Sequence, residues 1–229
     1  MTDPGASPKS ERTREQIVAA ALELFREQGY QGTTMRAVAA RAGVSVGNAY
    51  YYFGSKEELI QGFYDHLVAE HTAACAAVFA ASTDLADRLR GTLLAWLAAA
   101  EPYHRFAGRF FASAAQPENP LSPFSRASSP ARDASIALYR ELVDGSSTRV
   151  GEELAGTLPE LLWLYQLGVV LYWVHDSSAG AARTRTLVEH TAPMVARLVR
   201  LSRLPVIRPL SRQTVQLVDL LSGRHPGGG

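Results

Sequence analysis

The sequence predicts an all-α protein of about ten helices, and three observations lead there. Strand signals are nearly absent. Apolar residues recur at helical spacing between cap and breaker residues. The chain has 229 residues, 47% hydrophobic and 20% charged, the balance of an ordinary globular protein of about one and a half average domains.

The elements follow in order. Residues 1–11 are polar, with Pro4, Gly5 and Pro8, and read as a disordered arm. Thr13 and Gln16 form a capping box for a first helix carrying Ile17, Ala21, Leu24 and Phe25, which Gly29 ends. Thr33-Thr34 opens a short second helix with Val38, Ala39 and Ala42 facing inward. Gly43-Val44-Ser45 is a tight break, and a short third helix runs from about Val46 to Phe53, stopped by Gly54. Ser55 and Glu58 form another capping box, opening a long helix to about Ala81. Ser82 to Asp84 caps the next, carrying Leu85, Leu89, Leu93 and Leu97 and broken at Glu101-Pro102.

A helix over Tyr103 to Ala114 precedes an irregular segment, Gln116 to Ser129, with Pro117, Pro120, Pro123 and several serines. A loop of this length is functional or mobile, and its prolines suit a gate. Ser129-Pro130 restarts a helix, interrupted at Gly145-Ser146-Ser147. Thr157 and Glu160 form a further capping box for a helix to about Ser177. Ala181 to Leu204 is the next, bent at Pro193. Pro205 stops it, a last helix covers Val206 to Leu221, and a Gly-rich tail follows.

A formal charge of +1 excludes a globally basic nucleic-acid binder but leaves room for a local basic patch. One cysteine, Cys75, excludes a disulfide framework and a cysteine-based zinc site. The first ten residues lack an apolar run, so no secretory signal is expected and a reducing cytoplasm is the default. The longest apolar stretch, Leu161 to Val174, contains Gln166 and falls short of the roughly 18 residues that span a bilayer. No metal, cofactor or membrane partner is expected.

The chemistry concentrates in residues 33–56, TTMRAVAARAGVSVGNAYYYFGSK. Two short helices joined by a glycine-containing turn form a helix-turn-helix. The window holds Arg36, Arg41 and Lys56 and no acid. Tyr50, Tyr51 and Tyr52 crowd one short helix, whose hydroxyls and rings suit phosphates, sugars and thymine methyls in a groove.

From about Ile17 to Ile60 the segment resembles the DNA-binding domain of the TetR family of bacterial transcriptional repressors. Gly32-Thr33-Thr34, Arg36, Ala39, Ala42-Gly43-Val44-Ser45, Gly47, Tyr50, Tyr52-Phe53, Ser55-Lys56 and Leu59 stand in register. The resemblance implies a DNA-binding head over residues 12–56, a ligand-binding and dimerising body over 57–221, and a tail over 222–229. It also implies roles. Thr34 caps the second helix, where its hydroxyl and free amides hold a phosphate. Arg36 reaches a guanine edge or a phosphate. Ser45 caps the recognition helix, and Val46, Gly47 and Asn48 form the turn that enters the major groove of double-stranded DNA. Many members carry a polar residue at position 46; Val46 suits a thymine methyl. Tyr50 and Tyr51 contact backbone and bases, and Lys56 pairs with a phosphate. Tyr52 and Phe53 read as core, Arg41 as solvated.

The helix over Leu161 to Val174 is apolar all round and must be buried on every side. In the family the last two main helices pair with their symmetry mates in a four-helix bundle, and residues 157–204 are the counterpart here. The homodimer face is then expected at Leu164, Leu167, Gly168, Leu171, Met194, Val195 and Leu198. Aromatic rings gather in the middle of the chain, and Trp96, His104, Phe106, Phe110, Phe111, Tyr139, Trp163 and Tyr165 are candidates for an apolar effector pocket. Seven arginines and one acid, Glu189, lie between Arg183 and Arg212, and Arg197, Arg200 and Arg203 share a face. That face attracts an acidic ligand or is simply solvated.

The expected function is a dimeric repressor on a palindromic operator, released by a small, mainly apolar effector. A constitutive DNA binder without ligand is the alternative. A helical enzyme is disfavoured, because the sequence holds no paired-carboxylate, nucleophile or metal motif.

Overall fold

A computed structural model describes residues 8–104, 107, 108, 111, 119–203 and 213. Among these the ordered elements are α-helices with short 3-10 turns, and no strand occurs. The helices are α1 (Pro8–Gly32), α2 (Met35–Ala42), α3 (Val46–Tyr52), α4 (Lys56–Ala81), α5 (Leu85–Ala100), α6 (Ser129–Asp144), α7 (Glu152–Ala155), α8 (Leu158–Val174) and α9 (Ala182–Leu201). The expected helices over Tyr103 to Ala114 and Val206 to Leu221 lie largely outside the described residues. The chain forms two compact units, one from residues 1–70 with 99–134, the other from 71–98 with 135–229.

In the first unit α1 packs on α2, and α2 on α3. Ile17, Ala21, Phe25, Val38, Ala39, Ala49, Leu59 and Ile60 are each no more than 1% exposed. Each large side chain buried this way contributes about 1.5–3 kcal/mol. The helix opens earlier than its expected Thr13 cap: Thr13 sits inside α1, and its hydroxyl donates to the Lys9 carbonyl at 2.9 Å. Gly29 interrupts α1 as anticipated, with φ 77° and ψ 171°, a conformation that costs glycine little. Ser55 accepts from Glu58 N as a cap should, but Glu58 returns its carboxylate to Gly54 N at 2.8 Å.

Residues 119–128 are tied down. Gln61 Nε2 donates to the Pro120 carbonyl, Tyr64 Oη to the Leu121 carbonyl, both at 2.9 Å, and Arg132 Nη1 reaches the carbonyls of Pro123 and Ser125. Leu121 is buried. This part of the expected gate is therefore pinned. The helix that follows starts at Ser129 itself, with Arg132 N bonded to the Ser128 carbonyl at 3.0 Å, so the cap falls one residue before the expected Ser129.

The second unit is built around Leu89, Leu93, Tyr139, Leu142, Val188, Ala192 and Ala196, all 1% exposed or less. Trp96 and Trp173 meet edge to face with centroids 5.3 Å apart. Arg88 is buried among backbone carbonyls. Its Nη1 donates to Phe79 O, Ser82 O and Gly145 O, and its Nη2 to Glu141 O at 3.0 Å. One guanidinium thus collects carbonyls from the ends of α4 and α6 and from the residues just after them, beside the bond that Gly145 N makes to the Glu141 carbonyl.

The expected capping box at Thr157 does not form. Its backbone is already helical, at φ −98° and ψ −18°, and its side chain makes no cap bond. The short α7 just upstream was not anticipated. At the start of α9 the cap comes from Asp176 instead. Its Oδ2 accepts from Thr184 N at 2.8 Å and Thr184 Oγ1 at 2.7 Å, its Oδ1 from Ser178 N at 2.9 Å and Ser178 Oγ at 2.6 Å. Burial alone would raise this carboxyl, but the four hydrogen bonds outweigh it and hold it well below the usual carboxylate range. A depressed carboxyl stabilises the fold fully above the unfolded pKa of about 3.9, and that stability is lost as pH falls below it. Asp176→Asn is therefore expected to cost about 1–3 kcal/mol at neutral pH. The gap to wild type should narrow as urea unfolding is repeated from neutral pH down to pH 3; a gap independent of pH would contradict this role.

Candidate DNA-binding interface

The helix-turn-helix is held by local chemistry. Thr34 caps α2, its hydroxyl accepting from Ala37 N at 3.2 Å. Gly43 ends α2 in the left-handed region, at φ 68° and ψ 27°, where a Cβ would be strained. Val44 N reaches back to the Ala39 carbonyl at 3.0 Å, closing the turn. Ser45 then caps α3, accepting from Asn48 N at 3.0 Å. Along α3 only Ala49 is buried.

That single anchor leaves the rest of the helix outward. Val46 is 39% exposed, Tyr50 50% and Tyr51 81%, and Gly47 and Asn48 are exposed as well. Arg36 is exposed and makes no hydrogen bond or ion pair among the described residues. The arrangement offers a polar and aromatic surface with one uncommitted guanidinium, which suits base edges and phosphates. Phe53 is buried, as expected, and Tyr52 is half-buried against Tyr51.

Two cations differ from their sequence reading. Arg41 is not merely solvated: it bridges Glu23 at 3.0 Å and Glu27 at 2.8 Å on α1. Those hydrogen bonds lower the Glu27 carboxyl and raise the Arg41 guanidinium. The signal was present, since Glu23 and Glu27 share a face at i, i+4. Lys56 is half-buried. Its Nζ donates to the Tyr30 carbonyl at 2.9 Å and sits 4.0 Å from the Tyr30 ring centroid. Burial lowers its ammonium pKa. Tyr30 Oη in turn donates to Glu57 at 2.7 Å. This cluster fastens the end of α1 to the start of α4, and sequence reasoning missed it.

The other candidate residues fall in both units. Trp96, Tyr139 and Trp163 are buried in the second unit, with Tyr139 Oη donating to Gln166 Oε1 at 2.7 Å; Tyr165 is half-buried, its hydroxyl on Thr191. His104 and Phe111, both half-buried, belong to the first unit, and Phe106 and Phe110 lie outside the described residues. The helix expected to be buried on every side is not: on α8 Leu171 is 48% exposed, and on α9 Met194 is 60% and Leu198 66% exposed. Leu164, Leu167 and Val195 are half-buried. Gly168 is exposed, and a Cβ there would meet open space. Among the described residues, no helix is long and apolar enough to cross a membrane.

Comparison with known proteins agrees with this geometry. The family profile described as "Bacterial regulatory proteins, tetR family" matches residues 17–62. That described as "Tetracyclin repressor-like, C-terminal domain" matches residues 88–217, more than half of the chain. The HTH-type transcriptional dual regulator CecR of Shigella flexneri is 46% identical over 59 residues, 26% of each chain. Matches to the first curated relatives span only 25% to 46% of those proteins' length. A TetR transcriptional regulator from Nitrosomonas europaea shares the fold, with TM-score 0.63 at 19% identity over 81% of this chain and 99% of that one. So does the regulator FadR of Bacillus subtilis in complex with stearoyl-CoA, with TM-score 0.57 at 15% identity over 76% and 95%. With profiles matching both its helix-turn-helix and its helical body, the chain belongs to the TetR family of DNA-binding transcriptional regulators.

Proposed function

We propose that the protein is a repressor that binds a palindromic operator as a homodimer and is released by a small, mainly apolar effector. The observation that carries this is the uncovered apolar stripe on α8 and α9. Leu171, Met194 and Leu198 are 48% to 66% exposed in a single chain, with Gly168 open beside them. A second copy covering this stripe in a two-fold arrangement buries it twice over. Two heads related by that axis then read an inverted repeat in the major groove. In each head Val46, Gly47, Asn48, Tyr50 and Tyr51 face base edges and backbone, while Thr34, Arg36, Ser45 and Lys56 serve the flanking contacts.

An acyl-thioester in a relative of the same fold and the C-terminal family match support an effector site in the helical body. Effector and operator then weaken each other's binding by the same factor. Repression without a ligand is favoured by one observation: Trp96, Tyr139 and Trp163 are packed in the core, and the Tyr139 hydroxyl is already satisfied. Thermal-shift screening of apolar and acyl compounds separates the two readings, because a constitutive binder is stabilised by none of them.

Arg36→Ala is expected to weaken operator binding by roughly 1–3 kcal/mol if the guanidinium reads a base, with altered sequence preference. If it holds a phosphate, the loss is uniform and the salt slope falls by about one. Tyr50→Phe should weaken binding by removing one hydroxyl contact. Circular dichroism should be unchanged for both. Unaltered affinity in both variants would contradict the assignment of α2 and α3 to the DNA.

A further inference from the structure

A cleft in the second unit has no part in the function proposed above. It is an open cleft of about 440 Å3, lined by Asp84, Ser147, Thr148, Arg149, Arg200 and Arg203. Three arginines and one carboxylate residue share its lining. That carboxylate is occupied elsewhere: Asp84 Oδ1 caps α5, accepting from Ala86 N at 2.8 Å and Asp87 N at 3.1 Å. Its only ion pair among the described residues is a long one, to Arg200 Nη1 at 3.9 Å. Arg149 and Arg203 are exposed and make no ion pair among the described residues.

The walls are fixed. Ser147 N donates to the Thr83 carbonyl at 2.7 Å, and Ser147 Oγ to the same oxygen at 3.1 Å. Four residues on, Gly151 N donates to Ser202 Oγ at 3.3 Å, and Ser202 is buried. The loop carrying Arg149 is thus tied at both ends, to the start of α5 and to the end of α9. Arg200 and Arg203 at the end of α9 are partly accounted for by its dipole, which favours cations there. Arg149 comes from a separate loop tied to the same end of α9. Cations from two elements on one cleft, with Thr148 also on its lining, match a multiply charged oxyanion.

We propose that this cleft binds a small phosphate-bearing molecule, clamped by Arg149, Arg200 and Arg203. Its volume lies within the roughly 300–1,000 Å3 of small-molecule sites. The net positive lining supplies the selectivity, and Asp84 tempers it. The site is independent of the DNA-facing helices and of the apolar stripe, so it stands or falls without them.

Calorimetric titration of the full chain with pyrophosphate, against chloride at equal ionic strength, tests the proposal. Arg149→Gln and Arg203→Gln should each weaken pyrophosphate roughly three- to tenfold. Asp84→Asn should tighten it roughly twofold; asparagine keeps the cap of α5, and a gain in affinity cannot arise from misfolding. Operator affinity should not change in Arg149→Gln. Pyrophosphate binding no better than chloride would overturn the proposal, as would affinity undiminished in the Arg149→Gln/Arg203→Gln double variant. So would a dependence on these arginines seen for duplex DNA or anionic vesicles and not for pyrophosphate.

Discussion

Replacing Leu198 with arginine is expected to leave the protein folded but monomeric. Leu198 is 66% exposed in the single chain, one helical turn beyond the 60% exposed Met194, so the substitution disturbs no packing within one protomer. In a two-fold interface each variant dimer would bury two unpaired guanidiniums. At about 3–5 kcal/mol for each uncompensated buried charge, dimer affinity should fall by at least four orders of magnitude. Light scattering behind size exclusion reads this directly. Leu167→Arg, on α8, should also abolish the dimer, at some cost to the fold because Leu167 is already half-buried in one chain. Dimers that survive in both variants would refute the α8–α9 interface, and with it the expectation of a palindromic site.

The largest effect on the fold of one chain is expected at Arg88. Removing its guanidinium in Arg88→Met takes a donor from the carbonyls of Phe79, Ser82, Glu141 and Gly145, of which Glu141 keeps its bond from Gly145 N. A well-packed apolar replacement of an ion pair can be neutral, but these partners are backbone groups and cannot be replaced with it. The expected loss is about 3–5 kcal/mol in urea unfolding. Arg88→Lys should recover part of it, since one ammonium offers three donors to four carbonyls. Stability within about 1 kcal/mol of wild type in Arg88→Met would contradict the staple.

These two cases also mark what the sequence makes legible. Features set by chemistry within a few residues were readable: the Thr34 and Ser45 caps, the left-handed Gly43, the break at Gly29, and the ends of α4 at Lys56 and Ala81. The outward face of α3 was readable too, because one small residue, Ala49, is all it spares for the core. Contacts that join distant residues were not. Arg88 sits between Asp87 and Leu89 with no local mark of its four acceptors. Lys56 carries the motif expected of a phosphate contact, yet also closes on Tyr30, 26 residues away. Asp176 caps a helix that begins six residues later, through a turn held at Gly180 and Ala181 in the left-handed region. Thr157 shows the converse error: the right residue types at the right spacing, without the extended backbone a cap needs.

The central claim is that two copies, joined through α8 and α9, present paired α3 helices to DNA. Selection of binding sites from a pool of random duplexes, followed by stoichiometry on the selected sequence, tests it most directly. The expected result is an inverted repeat with half-sites about 10 base pairs apart, centre to centre, bound by an even number of chains. Leu198→Arg should lose that site, while Arg149→Gln should keep it. An asymmetric site bound by one chain, or full affinity in Leu198→Arg, would contradict the account.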